Sequence, residues 1–368
     1  MPHGYVFGPA ASWIKELMRC GHHVIVYTTA SDIEAAETYC GRSITIRIAK
    51  SRSRSAGRNF WATERKQLKQ MMLEDRCDVI HAHWTYEFAL AALATGIPTL
   101  VTIHDLPWRV LTYFRDPHRL ARLLMAYVVA FKGRQFTAVS QDAANHFHRF
   151  LNPFAKITVI PNGLPDSIFE TDTTEQVHRN SGCVFATILQ GWSQRKNPIT
   201  ALKAFHLVLQ NVPDARLLMF GYDYQPDGPA QQWANAEGID KNVTFVGLLP
   251  YDELLKQVRT QVDVIVHPSM DEAFSMAALE SMALRKAVVA GKSTPGMSDM
   301  FDGGRCGILV DVTSPPEIAS AMTRLAMDRS SCTGIACAAY GRADSLYRVD
   351  AVMSRYQALY RGCIKSWL

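Results

Sequence analysis

The sequence predicts an α/β protein of two domains, each built on a mainly parallel, doubly wound sheet. Three observations predict it. Short apolar, β-branched runs alternate with helical stretches along the chain. The alternation restarts after a polar stretch, residues 171–181, that follows the breakers Pro161, Asn162, Gly163 and Pro165. A length of 368 residues suits about two domains of ordinary size.

Residues 11–20 read as a helix closed by Gly21, and residues 23–28 (HVIVYT) as the strand after it. Residues 43–48 alternate as a second strand. Residues 78–83 (DVIHAH) form an apolar strand with a polar end, 87–94 a helix, and 99–104 (TLVTIH) the next strand. Strands at 135–140 and 157–160 complete the first series. The second series has strands at 184–189, 216–220, 243–246, 262–267, 287–290 and 307–310. Helices at 198–209, 229–237, 252–257 and 274–284 separate them. Residues 347–364 read as an amphipathic helix with Val352, Tyr356, Leu359, Tyr360 and Cys363 on its apolar face. A doubly wound domain ordinarily opens on an apolar strand before its first glycine turn. Here the sequence starts at the turn, with Gly4 and Gly8. Either residues 5–7 are a remnant strand, or the first strand of the N-terminal domain is missing. The expected segments are 1–163, a linker at 164–181, 182–345 and 346–368, with a cleft at the carboxyl ends of both sheets.

Apolar residues make up 48% and charged residues 20%, which excludes a wholly disordered chain. The longest apolar runs, such as 125–131, fall short of the roughly 18–20 residues that span a bilayer. No charged segment precedes an apolar run as in a secretory leader. Eight scattered cysteines without a C-x-x-C suit reduced thiols in a cytoplasmic protein better than disulfides or zinc. The net charge of +5 is uneven. Residues 42–69 carry nine Lys or Arg against one acid, Glu64. That window reads as a solvated face, or as a patch for an anionic membrane or acceptor. Phe60 and Trp61 within it read either as membrane-inserting or as core. No nucleic-acid-binding motif accompanies the charge.

The segment richest in chemistry is residues 262–284, VDVIVHPSMDEAFSMAALESMAL. A strand ends at His267-Pro268-Ser269, Glu272 stands at the turn, and a helix starting near Phe274 carries Glu280 two turns inside. The amides of Phe274, Ser275 and Met276 form a positive helix start, suited to a phosphate or a developing anion. Taken alone, the two acids equally read as a helix-start acid and a solvated face residue.

The surrounding segments give them context. The E-x7-E spacing from Glu272 to Glu280 resembles that of retaining glycosyltransferases of the GT-B fold, family 4. So do Asp78-Val79-Ile80-His81-Ala82-His83, Thr102-Ile103-His104-Asp105, Val159-Ile160-Pro161-Asn162-Gly163, Arg195-Lys196-Asn197-Pro198 and Gly307-Ile308-Leu309-Val310, in the family's order. The resemblance implies two Rossmann-like domains facing a cleft, the N-terminal one binding the acceptor and the C-terminal one the nucleotide-sugar. The terminal helix would cross back to the first domain. Glu280 would hold the ribose, Glu272 the donor sugar, and Phe274, Ser275 and Met276 the sugar and phosphates. Lys196 would neutralise the diphosphate, His83 would approach the transferred sugar, and Gly8 would lie against the donor. His81 shares a strand face with His83, which also suits a metal pair, but the family holds none there. The family's usual arginine, about five positions before the lysine, is replaced by Gly191, and Arg195 is the candidate substitute.

A leaving nucleoside diphosphate needs fixed positive charge. With no D-x-D motif to bind a metal, the lysine, arginine and helix start must supply it. The expectation is therefore a metal-independent, retaining glycosyltransferase without cofactor. It would transfer a hexosyl or N-acetylhexosaminyl group to a saccharide, lipid-linked or small-molecule acceptor. Polysaccharide or glycoconjugate synthesis in the cytoplasm, at the inner face of a bacterial membrane, would suit it. The rival readings are a nucleotide-sugar epimerase of the same fold and a non-catalytic sugar-nucleotide-binding subunit. A nicotinamide dehydrogenase fits poorly, because no G-x-G-x-x-G follows a strand.

Overall fold

The computed structural model describes residues 8–52, 54–170 and 182–365. Gly4, the remnant strand read at 5–7 and the polar stretch 171–181 lie outside the described residues. The chain divides into two units: Met1–Leu164 with Arg348–Leu368, and Pro165–Tyr347.

The first unit carries two sheets. Strands β1 (Val24–Ala30), β2 (Glu37–Cys40) and β3 (Ile44–Lys50) are ordered β1-β3-β2, with β1 and β3 parallel and β2 antiparallel to β3. Strands β4 (Ile80–His83), β5 (Thr99–Ile103), β6 (Gln135–Ala138) and β7 (Ile157–Val159) form a second sheet in chain order, all parallel. β5 is buried along its whole length, as its unbroken apolar run requires. The helix Val349–Lys365 packs on this unit. Its Val352, Met353 and Tyr356 are buried against Trp13, Leu100 and Ile160, and the Val349 amide donates to the Leu164 carbonyl at 2.8 Å.

The second unit is built on one six-stranded parallel sheet: β8 (Val184–Ile188), β9 (Arg216–Phe220), β10 (Val243–Gly247), β11 (Val264–His267), β12 (Ala287–Gly291) and β13 (Ile308–Val310). The order across the sheet is β10-β9-β8-β11-β12-β13. The chain therefore builds outward in one direction from β8, then returns to its other side through β11. β8 and β11 pair through Phe185 with Val264 and Ala186 with Ile265. The strand order reverses between them, so their carboxyl ends form the topological switch point, the usual ligand position in such sheets. Helices Pro198–Val208 and Pro315–Met327 cover one face, packing Phe205, Ile318 and Met322 against Phe185, Met219 and Val289.

Nearly every strand lies within two or three residues of its expected span. The exception is β2, a polar, exposed edge strand of four residues that sequence reasoning did not find.

Candidate functional site

The loop leaving β8 is shaped by Gly191, whose φ of 84° lies in the left-handed region that side chains disfavour. An arginine there would be strained. The loop is pinned to the end of β9, because the Trp192 amide donates to Asp223 Oδ2 at 2.9 Å and the Tyr224 hydroxyl to the Gly191 carbonyl at 3.1 Å. Asn197, also left-handed, precedes Pro198 at the first helical position. Its side-chain amide donates to the Pro268 carbonyl at 3.2 Å and the Val312 carbonyl at 2.7 Å. One side chain thus ties together the loops after β8, β11 and β13.

Between these anchors lie Arg195 and Lys196. The Met270 amide donates to the Arg195 carbonyl at 2.9 Å, and Arg195 Nη1 donates to the Asp271 carbonyl at 3.0 Å. The Arg195 Nε is buried and has no hydrogen-bond partner among the described residues. Lys196 Nζ donates to Glu272 Oε1 at 2.5 Å, and His267 Nε2 lies 3.5 Å from the same oxygen. Burial pushes the Glu272 carboxyl up. Lys196, His267 and Arg195 together outweigh that and hold it well below the usual carboxylate range. Glu272 is therefore ionised at neutral pH.

The structure corrects the reading of the next segment. The helix is Met276–Ala283, two residues later than expected, and Glu280 sits about one turn inside rather than two. Ser275 is its N-cap, with its hydroxyl accepting from the Ala278 amide at 3.2 Å, so that side chain serves the helix itself. The Phe274 ring stands edge-on to Tyr347 at 5.9 Å. Glu280 Oε1 accepts from the Tyr251 hydroxyl at 2.9 Å. Burial pushes its carboxyl up to about 7, with the tyrosine hydrogen bond opposing. Sequence reasoning missed Tyr251, which comes from a separate helix, Tyr251–Gln261.

His83 and Gly8 belong to the first unit. Gly8 opens the helix Gly8–Arg19. His83 ends β4, and its Nδ1 lies 2.9 Å from Nε2 of His104, which follows β5. The parallel register that pairs His83 with Thr102 brings these two histidines together across 21 residues of sequence. Trp13 packs on His83 at 5.0 Å. Desolvation pushes the His83 imidazole down to about 3, and His104 and His81 well below their usual value, so all three are neutral at pH 7. His81 does share the face, 4.2 Å from His83 between ring centroids. Its nitrogens are engaged by the Tyr360 hydroxyl at 2.7 Å and the Thr102 hydroxyl at 2.6 Å. It is a core histidine tied to the terminal helix. Among the described residues no group of three or more His, Cys, Asp or Glu is arranged for a metal ion.

The basic window also reads differently in three dimensions. Arg47 pairs with Asp75 at 2.7 Å and Glu74 at 3.0 Å. Arg52 pairs with the buried Glu64 at 2.8 Å. Trp61 is buried, which removes it as a membrane anchor, while Phe60 is exposed. Arg52 and Trp61 instead line a cavity of about 220 Å³ with Thr29, Trp84, Tyr86 and Arg122. Arg122 lies 4.9 Å over the Tyr86 ring and pairs with Glu87 at 3.3 Å. Aromatic faces beside paired charges are a surface on which a polyhydroxyl ring can stack and hydrogen-bond.

Two family descriptions match the chain. Glycosyltransferase Family 4 matches residues 10–167, and Glycosyl transferases group 1 matches residues 175–342. A D-inositol 3-phosphate glycosyltransferase from Pseudarthrobacter chlorophenolicus is 28% identical over 77% of this chain and 70% of its own length. Another, from Corynebacterium jeikeium, is 31% identical over 47% of this chain, and the match spans only 44% of that relative. Among solved structures, sucrose-phosphate synthase from Thermosynechococcus elongatus superposes with a TM-score of 0.81 at 16% identity, covering 97% of this chain and 93% of the other. Anabaena HepE in complex with UDP-glucose superposes with a TM-score of 0.74 at 17% identity, covering 98% of each. Both halves of the chain match in order, the second on the sheet that carries Lys196, Glu272 and Glu280, and the chain belongs to the family 4, group 1 glycosyltransferases of the GT-B fold.

Proposed function

We propose that the chain is a retaining glycosyltransferase that moves a hexosyl or N-acetylhexosaminyl group from a nucleoside-diphosphate sugar to an acceptor hydroxyl, in polysaccharide or glycoconjugate synthesis. The observation that carries this reading is the Lys196–Glu272 pair at the carboxyl ends of β8 and β11. Transfer breaks the bond between the anomeric carbon and the diphosphate oxygen, and the electron pair leaves with the phosphate. Lys196, Arg195 and the positive start of the Met276–Ala283 helix offset the charge that develops there. Family enzymes take the nucleotide-sugar as a substrate and need no metal for this. Glu272 accepts donor-sugar hydroxyls, Glu280 accepts ribose hydroxyls, and the Phe274–Met276 backbone lies along the sugar and phosphates. The acceptor oxygen bonds to the anomeric carbon from the side the phosphate leaves. Its proton goes to the leaving phosphate, so no enzymic nucleophile is required. From the first unit, His83, neutral and held by His104, is assigned to the transferred sugar and Gly8 to the donor, as the family resemblance implies.

UDP-glucose is the first donor to test, because the HepE structure holds it. Thermal-shift titration with UDP and UDP-glucose, without metal and then with magnesium, should stabilise the chain equally in both. Product from an acceptor-dependent assay should keep the donor's anomeric configuration by NMR. Loss of configuration, or sugar interconversion without acceptor, would rule the reading out.

Two further results are expected. Glu280 is largely a neutral carboxyl below about pH 7 and a carboxylate above it. If it accepts both ribose hydroxyls, UDP affinity should rise about tenfold between roughly pH 6 and pH 8. Glu280→Gln should flatten that profile, and a flat wild-type profile would remove Glu280 from the ribose. The acceptor is assigned to the first unit's cavity, which Glu87 also lines, so Glu87→Gln should raise the acceptor KM about tenfold through loss of a charged hydrogen-bond acceptor. An unchanged KM would place the acceptor elsewhere.

A further inference from the structure

The helix Pro117–Lys132 has two faces of the same character. It starts at Asp116, whose side chain accepts from the Arg119 amide at 2.8 Å, with Pro117 at the first position. Its inner face buries Ala121, Leu123, Met125, Ala126, Val129 and Ala130. A helix on a protein surface ordinarily turns polar residues outward. This one turns out Leu120, Leu124, Tyr127, Val128 and Phe131, spaced by three and four so that they form one stripe. Phe131 is 88% exposed.

The stripe is widened beside the helix and extended past its carboxyl end. Trp108 Nε1 donates to the Tyr127 hydroxyl at 3.0 Å, which fixes an exposed indole beside it. At the carboxyl end, Asn152 Nδ2 donates to the Ala130 carbonyl at 2.8 Å and holds its own turn against the helix terminus. That turn presents Phe154, 91% exposed. Phe154 shares a surface cavity with Arg134 and Lys156. Lys132 and Arg149 are exposed nearby in sequence. Residues 106–156 hold eight Lys or Arg and two acids, Asp116 and Asp142; Arg122 is paired with Glu87 outside this stretch, and the remaining seven still outnumber the acids.

We propose that this face docks on the headgroup layer of an anionic lipid bilayer. The apolar stripe enters the interface, Trp108 and Tyr127 sit at headgroup level, and the basic rim meets the lipid charge. The sign of the rim selects the occupant. Two copies of this chain joined through the face would bring like charges together. Among the described residues no helix is long and apolar enough to cross a membrane, so the contact is one of lying on the surface. The face is distinct from the 42–69 window, and the proposal is independent of the donor chemistry.

The test is co-sedimentation of the full chain with vesicles of phosphatidylcholine alone and with equimolar phosphatidylglycerol. Binding should require phosphatidylglycerol and weaken in high salt. Phe131→Ser with Phe154→Ser removes only exposed rings, so the melting temperature should hold while vesicle affinity falls at least about tenfold. Arg134→Glu with Lys156→Glu should lower it similarly. Undiminished binding in either double variant, or no binding to anionic vesicles, would overturn the proposal. Concentration-dependent dimerisation lost in the Phe131→Ser, Phe154→Ser variant, without vesicle binding, would overturn it in favour of a self-interface.

Discussion

Lys196→Ala is expected to lower kcat for sugar transfer by about 10²–10³-fold, the cost of removing one fixed charge-stabilising group from a reacting centre. UDP affinity should fall less, because in the proposed site the diphosphate would keep Arg195 and the helix start. The substitution also leaves Glu272 buried and ionised without its paired cation, with His267 at 3.5 Å and the weaker influence of Arg195 remaining. Breaking such a pair from one side costs about 3–5 kcal/mol. The two effects can be separated. Lys196→Ala combined with Glu272→Gln should recover much of the lost stability but none of the rate. Because the folded-state pKa of Glu272 is depressed, the stability it contributes is present above the unfolded value of 4.5 and is lost in strong acid. An alanine variant with wild-type kcat would show that Lys196 is no more than a structural partner of Glu272.

Gly221→Ala should be the most destabilising small change in the second unit. Gly221 has φ 122°, and a Cβ there would lie 1.7 Å from the Leu189 carbonyl oxygen. The backbone cannot yield easily, because the Leu189 amide donates to Phe220 at 3.0 Å and the Gly221 amide to Gly247 at 2.8 Å. The ends of β8, β9 and β10 are locked at this point. A loss of more than about 3 kcal/mol is expected, from contact and backbone strain together. That corresponds to a fall of roughly 6–12 °C in Tm for a unit of this size. Transfer should slow as well, since Leu189 leads directly into the loop that carries Lys196. A Tm within about a degree of wild type would show that the turn relaxes freely.

The sheets were legible because a strand buried on both faces must be apolar throughout, as VIVH of β11 and AVVAG of β12 are. β2 escaped because ETYC is exposed and polar, held only by its pairing with β3. In the candidate site, Lys196 and Glu272 were visible as motif residues, whereas their contact depends on the order β8-β11. Tyr251, and the pairing of His104 with His83, were missed for a related reason. Each contact forms through strand register or packing between elements, and neither leaves a local spacing to read. The charge of residues 42–69 is partly offset in a way the window does not reveal, because Arg47 finds Glu74 and Asp75, acids that lie outside it.

The return of Val349–Lys365 to the first unit has a consequence for biosynthesis. A ribosome releases the chain from its amino end, and domains generally fold as they emerge. Here the partners of Trp13, Leu100 and Ile160 are Val352, Met353 and Tyr356, so residues made before the second unit wait for residues made after it. Through translation of the entire second unit, the nascent first unit exposes an apolar face and the ring of His81, which Tyr356 and Tyr360 later cover. The second unit, made as one continuous stretch from Pro165 to Tyr347, has no such delay. A ribosome stalled before residue 348 would therefore display one finished half and one sticky half, a natural client for a chaperone that holds nascent chains.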